Sequence, residues 1–261
     1  MKNLLTLLLF ISLLTWGQKV QATAQIPDYL IKGNDTLAIF SNPLESYFES
    51  RTRPDSLFAA IGYTSTACWR GYVAYWELEN DKLYLLEVHG PDSTIDLSLI
   101  FDDRNTQEKV FADWFSHTIH HPYGKLVHYE HMGYGSIYAY EKAFDFDKGI
   151  LTATKTYDNS KSRKSPYSQN QKLLNEFLHR NIDYSNITDE PYKKAHVFVQ
   201  IHSVTAAGKI DSVSVIHGFD EERDREAIRV IKSIPEWDVL YSRGKLYQLR
   251  WTIRLMFGAD E

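Results

Sequence analysis

One cysteine, eight prolines and no surplus of positive charge set the first limits on this 261-residue chain. A lone Cys excludes a disulfide framework within one chain, and any zinc site built from several thiolates. Eight Pro are too few for a long, stiff Pro-rich spacer. A net charge of −5 argues against a protein that grips nucleic acid by neutralising phosphates. The apolar run Leu4 to Trp16 has 13 residues, short of the ~20 that a membrane-spanning helix needs. No nucleophile elbow, phosphate loop or dinucleotide fingerprint is present. Gly133–Tyr134–Gly135–Ser136 is Gly-rich, but no Lys-Ser/Thr pair follows it.

What is present begins with an address. Lys2 gives a positive start, the apolar run follows, and Ala22–Thr23–Ala24 supplies the small-x-small pattern of a cleavage site. Together these read as a secretory signal peptide over residues 1–24, with no stable membrane span after cleavage, or else as an uncleaved anchor. The chain is therefore expected in the periplasm of the cell envelope, starting near Gln25. In an exported protein the leftover Cys68 is a free thiol, a partner in a disulfide between chains, or a small buried apolar residue.

Aromatic residues make up 14% of the chain, enough to expect a folded protein. Residues 25–157 read as a β-rich domain. Trp69 to Glu79 and Leu83 to Val88 flank Asn80–Asp81–Lys82 and form a hairpin signal. Ile95 to Phe101 alternates and reads as another strand. Ser136 to Phe146 and Ile150 to Tyr157 flank Asp147–Lys148–Gly149 as a second hairpin. Asn42–Pro43 starts a short helix to Phe48. Residues 158–171 (DNSKSRKSPYSQNQ) are nearly devoid of apolar side chains and read as a polar linker, or else as a long surface loop. The acidity sits before this seam: Gln25–Asn170 holds 14 basic and 20 acidic residues, against 13 and 14 from Gln171 onward.

Residues 172–261 read as helix, strand, strand, helix, strand. Leu173 to Ile182 has helical spacing. His196 to Val204 and Ile210 to Ile216 alternate around Ala207–Gly208–Lys209. Asp220 to Ile234 opens with acids that suit a helix N-terminus and carries the stripe Ala227, Val230, Ile231, Ile234. Pro235 stops it. Tyr247 to Phe257 alternates over its whole length, with Tyr247, Leu249, Trp251, Ile253, Leu255 and Phe257 on one face. The fold class expected is α+β: a β-rich N-terminal domain plus a small domain whose antiparallel sheet is packed by helices.

The run VFVQIHSVTAAGKIDSVSVIHG, then DREAIRVIKSIPEW, then GKLYQLRWTIRLMF resembles the C-terminal domain of the TonB energy-transducer family. Gly208, Ala227, Pro235, Trp237 and Phe257 occupy that family's characteristic places, over about a third of the chain. The resemblance implies a binding role and no catalysis. An envelope or outer-membrane protein would add an extended segment to a sheet edge, where main-chain hydrogen bonds give affinity. Tyr247, Gln248, Leu249, Arg250, Trp251, Thr252 and Arg254 are the expected partner-binding residues. The chain departs from a full transducer in lacking the spacer and a membrane anchor, so energy transduction is not carried over. A homodimer through edge pairing is a further expectation.

The rival reading is a metal-binding or hydrolytic periplasmic protein. Five of the 10 His lie in HTIHHPYGKLVHYEH. A turn at Pro122–Lys125 would bring His117, His121 and His128 to one sheet face, where three imidazoles suit zinc or copper. The spacing matches no fixed metal motif, so no metal or cofactor is assigned. Glu77 with Glu79, and Asp102–Asp103, are carboxylates of the type glycosidases use. Trp69, Tyr72, Tyr75 and Trp76 suit either a ligand platform or a core.

Overall fold

The computed structural model describes residues 23–62, 64–101 and 108–258. The expected signal peptide lies outside these residues, apart from Thr23 and Ala24. Among the described residues no helix is long and apolar enough to cross a membrane.

The architecture is α+β. Residues up to 158 form one mixed sheet. Its strands are β1 (Asp28–Lys32), β2 (Asp35–Ile39), β3 (Val73–Glu79), β4 (Lys82–His89), β5 (Thr94–Ile95), β6 (Val110–Phe111), β7 (Thr118–His128), β8 (Ile137–Asp147) and β9 (Ile150–Asp158). The order is β2-β1-β3-β4-β9-β8-β7, with β5 and β6 also on β4. Only β1 and β3 pair in parallel. Two outer strands, β2 and β7, come back together. Phe40 N–H donates to His120 O (2.7 Å), and His121 Nδ1 lies 2.8 Å from Ala38 O. The curled sheet closes on a core that includes Leu30, Trp76, Leu83, Leu85, Ile119 and Phe144. Helices α1 (Pro43–Phe48) and α2 (Asp55–Ile61) add Leu44, Tyr47, Leu57 and Ile61. Each such side chain stabilises the fold by roughly 1.5–3 kcal/mol on burial.

Turn chemistry fixes the hairpins. Asn80 (φ 49°) and Asp81 (φ 60°) join β3 to β4, and Lys148 (φ 46°) and Gly149 (φ 76°) join β8 to β9. Paired positive φ values match the right-handed twist of the flanking strands. A bulge opposite Tyr75 and Trp76 lets both Leu85 and Val88 face the core.

The second core belongs to the rest of the chain. Helices α3 (Pro166–Gln169) and α4 (Gln171–Asn181) precede β10 (Ala195–Val204) and β11 (Ile210–His217). Then come α5 (Glu221–Lys232), a small hairpin of β12 (Leu240–Ser242) and β13 (Lys245–Tyr247), and β14 (Trp251–Phe257). The main sheet is β11-β10-β14, antiparallel throughout. Helix α5 is capped by Asp220, whose side chain accepts from Arg223 N–H, and it buries Ala227, Val230 and Ile231.

Several expectations need correction. Ile95 to Phe101 is not a strand: it is the short β5 followed by a tight turn at Leu97–Leu99, capped by Asp96. Pro122–Lys125 is not a turn, because β7 runs straight through it with bulges against β8. Tyr247 to Phe257 is not one strand. Residues 245–247 pair with β12, and the Gln248 amide binds both main-chain groups of Val204, from Val204 N–H at 2.8 Å and to Val204 O at 3.0 Å. That side chain ends the ladder, and Tyr247 is left 46% exposed instead of buried.

The polar run 158–171 is tied to both units. Asn159 is buried: its N–H donates to Ala139 O, its Nδ2 to Tyr138 O, and its Oδ1 accepts from Gly244 N–H. Arg163 and Val239 exchange two main-chain hydrogen bonds. Ser165 Oγ donates to Glu236 O. The segment is polar because its side chains satisfy backbone groups on either side.

One buried ion pair fastens the start of the first sheet. Asp28 accepts from Arg70 Nη2 (2.7 Å) and from Ala74 N–H (3.0 Å), and Arg70 also donates to Ile26 O and to the Tyr134 hydroxyl. Burial pushes the Asp28 carboxyl upward, opposed by the Arg70 charge. Asp28→Ala strands the guanidinium. The expected loss is about 3–5 kcal/mol of unfolding free energy by urea denaturation, and a loss below about 1 kcal/mol would show the pair to be incidental.

Candidate partner-binding cleft beside the last strand

β14 pairs with β10 from Ala195↔Phe257 to Ile201↔Trp251. Among the described residues no strand pairs with its other side. Ile253, Leu255 and Phe257 are buried in the second core, which fixes the strand, whereas Thr252 and Arg254 are exposed. Helices α3 and α4 stand across the free edge. Between them lies a cleft of about 390 Å³, lined by Tyr167, Ser168, Gln171, Leu174 and Asn175 on one side and by Trp251 to Arg254 and Met256 on the other. That is the scale of a preformed ligand site. Trp237 also lines it and meets Trp251 edge-on at 6.0 Å. The buried Trp237 Nε1 has no hydrogen-bond acceptor, which costs roughly 1–3 kcal/mol while it lasts.

The sequence-derived partner residues divide. Trp251, Thr252 and Arg254 line the cleft. Gln248 is engaged by Val204. Tyr247 faces a separate cavity at the seam, and Leu249 and Arg250 line neither. The helix side of the cleft was not anticipated. Its one sequence signal was the apolar spacing of α4, which marks Leu174 as inward-facing.

The histidines are not brought together. His121 stacks on Tyr123, and His117 packs edge-on against Phe115. His128 lies at the seam, where Lys164 Nζ is 3.0 Å from its Nδ1. Burial first, then the Lys164 charge, hold it below the usual imidazole range. Among the described residues no group of three His, Cys, Asp or Glu side chains is placed to hold a metal ion. Glu77 and Glu79 both bind Lys109 (2.7 and 2.6 Å). Asp102 and Asp103 lie outside the described residues. Tyr72 and Trp76 are core, and Trp69 is exposed. Cys68 is buried with Sγ 3.1 Å from Tyr72 O.

The two units meet at a second cluster. Glu141 Oε1 lies 2.7 Å from His120 Nδ1 and 3.3 Å from Arg243 Nε, at the tip of the β12–β13 hairpin. Burial works to raise the Glu141 carboxyl, but the His120 hydrogen bond and the His120 and Arg243 charges outweigh it and hold it below the usual glutamate range. A depressed folded value means that the stability from this tie is present above about pH 4.3 and lost as pH falls through the folded value. Glu141→Gln is expected to flatten the fall of melting temperature between about pH 5 and pH 3. An unchanged pH profile would contradict the assignment. Comparison with protein-family models, with curated proteins and with solved structures finds no match to the chain.

Proposed function

We propose that this is an exported binding protein of the bacterial cell envelope, which captures an extended segment of an envelope or outer-membrane protein by strand addition on β14. The observation that carries the reading is the free edge of β14 facing a preformed cleft under α3 and α4. An added strand would take up main-chain hydrogen bonds along the edge and lay alternate side chains on Trp251 and Ile253. The C-terminal unit is read as a TonB C-terminal-like domain, on the resemblance carried by Gly208, Ala227, Pro235, Trp237 and Phe257. That reading links the protein to outer-membrane transport. Export rests on the signal-peptide pattern at residues 1–24. The same edge would serve a homodimer if a second copy occupied it.

Asn175 is on α4 and lines the cleft. Asn175→Trp is expected to block the site and to leave the melting temperature within about 2 °C, since surface changes shift stability little. Capture of envelope proteins by the full chain should drop at least about tenfold, the size of one lost anchor contact. Unchanged capture by the blocked, still-folded variant would contradict strand addition here.

A further inference from the structure

Trp251 lines the cleft beside β14. The same side chain lines a second, larger groove of about 920 Å³ that crosses the seam onto β7. Lys125, His128, Arg163 and Lys164 line this groove, with Leu126 and Tyr129 between them. Among the described residues no carboxylate lines it. Lys125 is exposed, and among the described residues it has no ion pair. Arg163 is exposed too, and among the described residues its guanidinium donates only to a main-chain oxygen, Ala206 O. Lys164 is anchored by the buried Asp238 at 3.0 Å and stands over the Trp251 ring at 5.6 Å. Two further acids lie near the groove: Glu130, 4.0 Å from His128 Nε2, and Asp158, whose carboxylate accepts from the N–H of the lining Ser160 at 2.8 Å. Leu126 and Tyr129 are exposed, 42% and 48%.

We infer that the segment that adds to β14 continues past Trp251 as an acidic stretch carrying apolar side chains, and that the β7 groove holds that stretch. The inference rests on the strand-addition reading. A concave site that exposes the cations Lys125 and Arg163 attracts carboxylates and selects partners by charge. The exposed Leu126 and Tyr129 give apolar side chains a surface between those charges. Nucleic acid is the less suitable polyanion, because the chain as a whole carries −5. The groove also explains why the two units are held in fixed relation. A partner lying on β14 and β7 together needs the seam rigid.

The test uses the full chain and fluorescein-labelled synthetic peptides of two kinds. Both contain the strand former Val-Thr-Val-Thr-Val-Thr. In one it is joined to Asp-Glu-Leu-Asp-Glu and in the other to Gln-Asn-Leu-Gln-Asn, each made with the tail at either end. Anisotropy titration should show the acidic peptide binding about tenfold tighter in one orientation, with the advantage shrinking as salt rises. Lys125→Glu, at an exposed position, should abolish the advantage and leave the neutral peptide's affinity unchanged. Equal binding of both peptides, with no effect of Lys125→Glu, overturns the acidic-groove inference and leaves strand addition standing. Failure of both peptides to bind overturns the two together. A thymidine oligonucleotide that displaces the acidic peptide at lower concentration would assign the groove to nucleic acid and also overturn the inference.

Discussion

A β-strand has main-chain hydrogen-bonding groups on two sides, and β14 has a partner strand on one. The features around it follow from that constraint. Three of its side chains, Ile253, Leu255 and Phe257, are locked into the second core, so the edge cannot swing inward. Gln248 ends the ladder with its own amide, which confines the free edge to the seven residues Trp251–Phe257. Exposed edges invite aggregation, and natural sheets blunt them with charge and cover. Here Arg254 supplies the charge, and α3 with α4 stands across the gap without closing it. The edge is thus charged and faced by helices, with a cleft left beside it.

The second requirement is that the two units keep their relative position. They have separate hydrophobic cores, so apolar burial alone does not join them. The joint is polar: Asn159 satisfies main-chain groups of β8 and of the Gly244 turn, and Glu141 is shared between His120 and Arg243. Asn159 is the buried member of this joint, and a buried, fully hydrogen-bonded polar group specifies geometry strongly. Trp251 sits at the joint, touching Trp237 in its own unit and near His128 of the other. Its side chain lines both the β14 cleft and the β7 groove.

Much of the local structure was legible in the sequence, for identifiable reasons. The hairpins at Asn80–Asp81 and Lys148–Gly149 announced themselves through turn residues that tolerate positive φ. Helix α5 was legible in its acidic first turn, its apolar stripe and Pro235. The errors came where pattern and tertiary context parted. Tyr247 to Phe257 alternates perfectly, but Gln248 binds Val204 and Tyr247 pairs with β12, a choice set by residues far away in sequence. Pro122–Lys125 has the residues of a turn, but β8 offers a partner along its whole length, and bulges absorb the Pro and Gly. The bonding of the polar run 158–171 was not legible, because composition reports polarity and not what the polar atoms bond. Half of the cleft was visible, as Trp251, Thr252 and Arg254. The α3 and α4 half was not, because helix-to-edge placement depends on how the two cores pack.

The most direct measurement is residue-resolved hydrogen exchange by NMR on the full chain, with and without a captured partner segment. In the free protein, alternate amides within Trp251–Phe257 should exchange rapidly, because successive N–H groups of an antiparallel strand point to opposite sides and one side is open. On binding, those amides should slow to the rates of their neighbours. Uniform protection of β14 in the free protein, or rapid exchange that persists with the segment bound, would contradict strand addition at this edge.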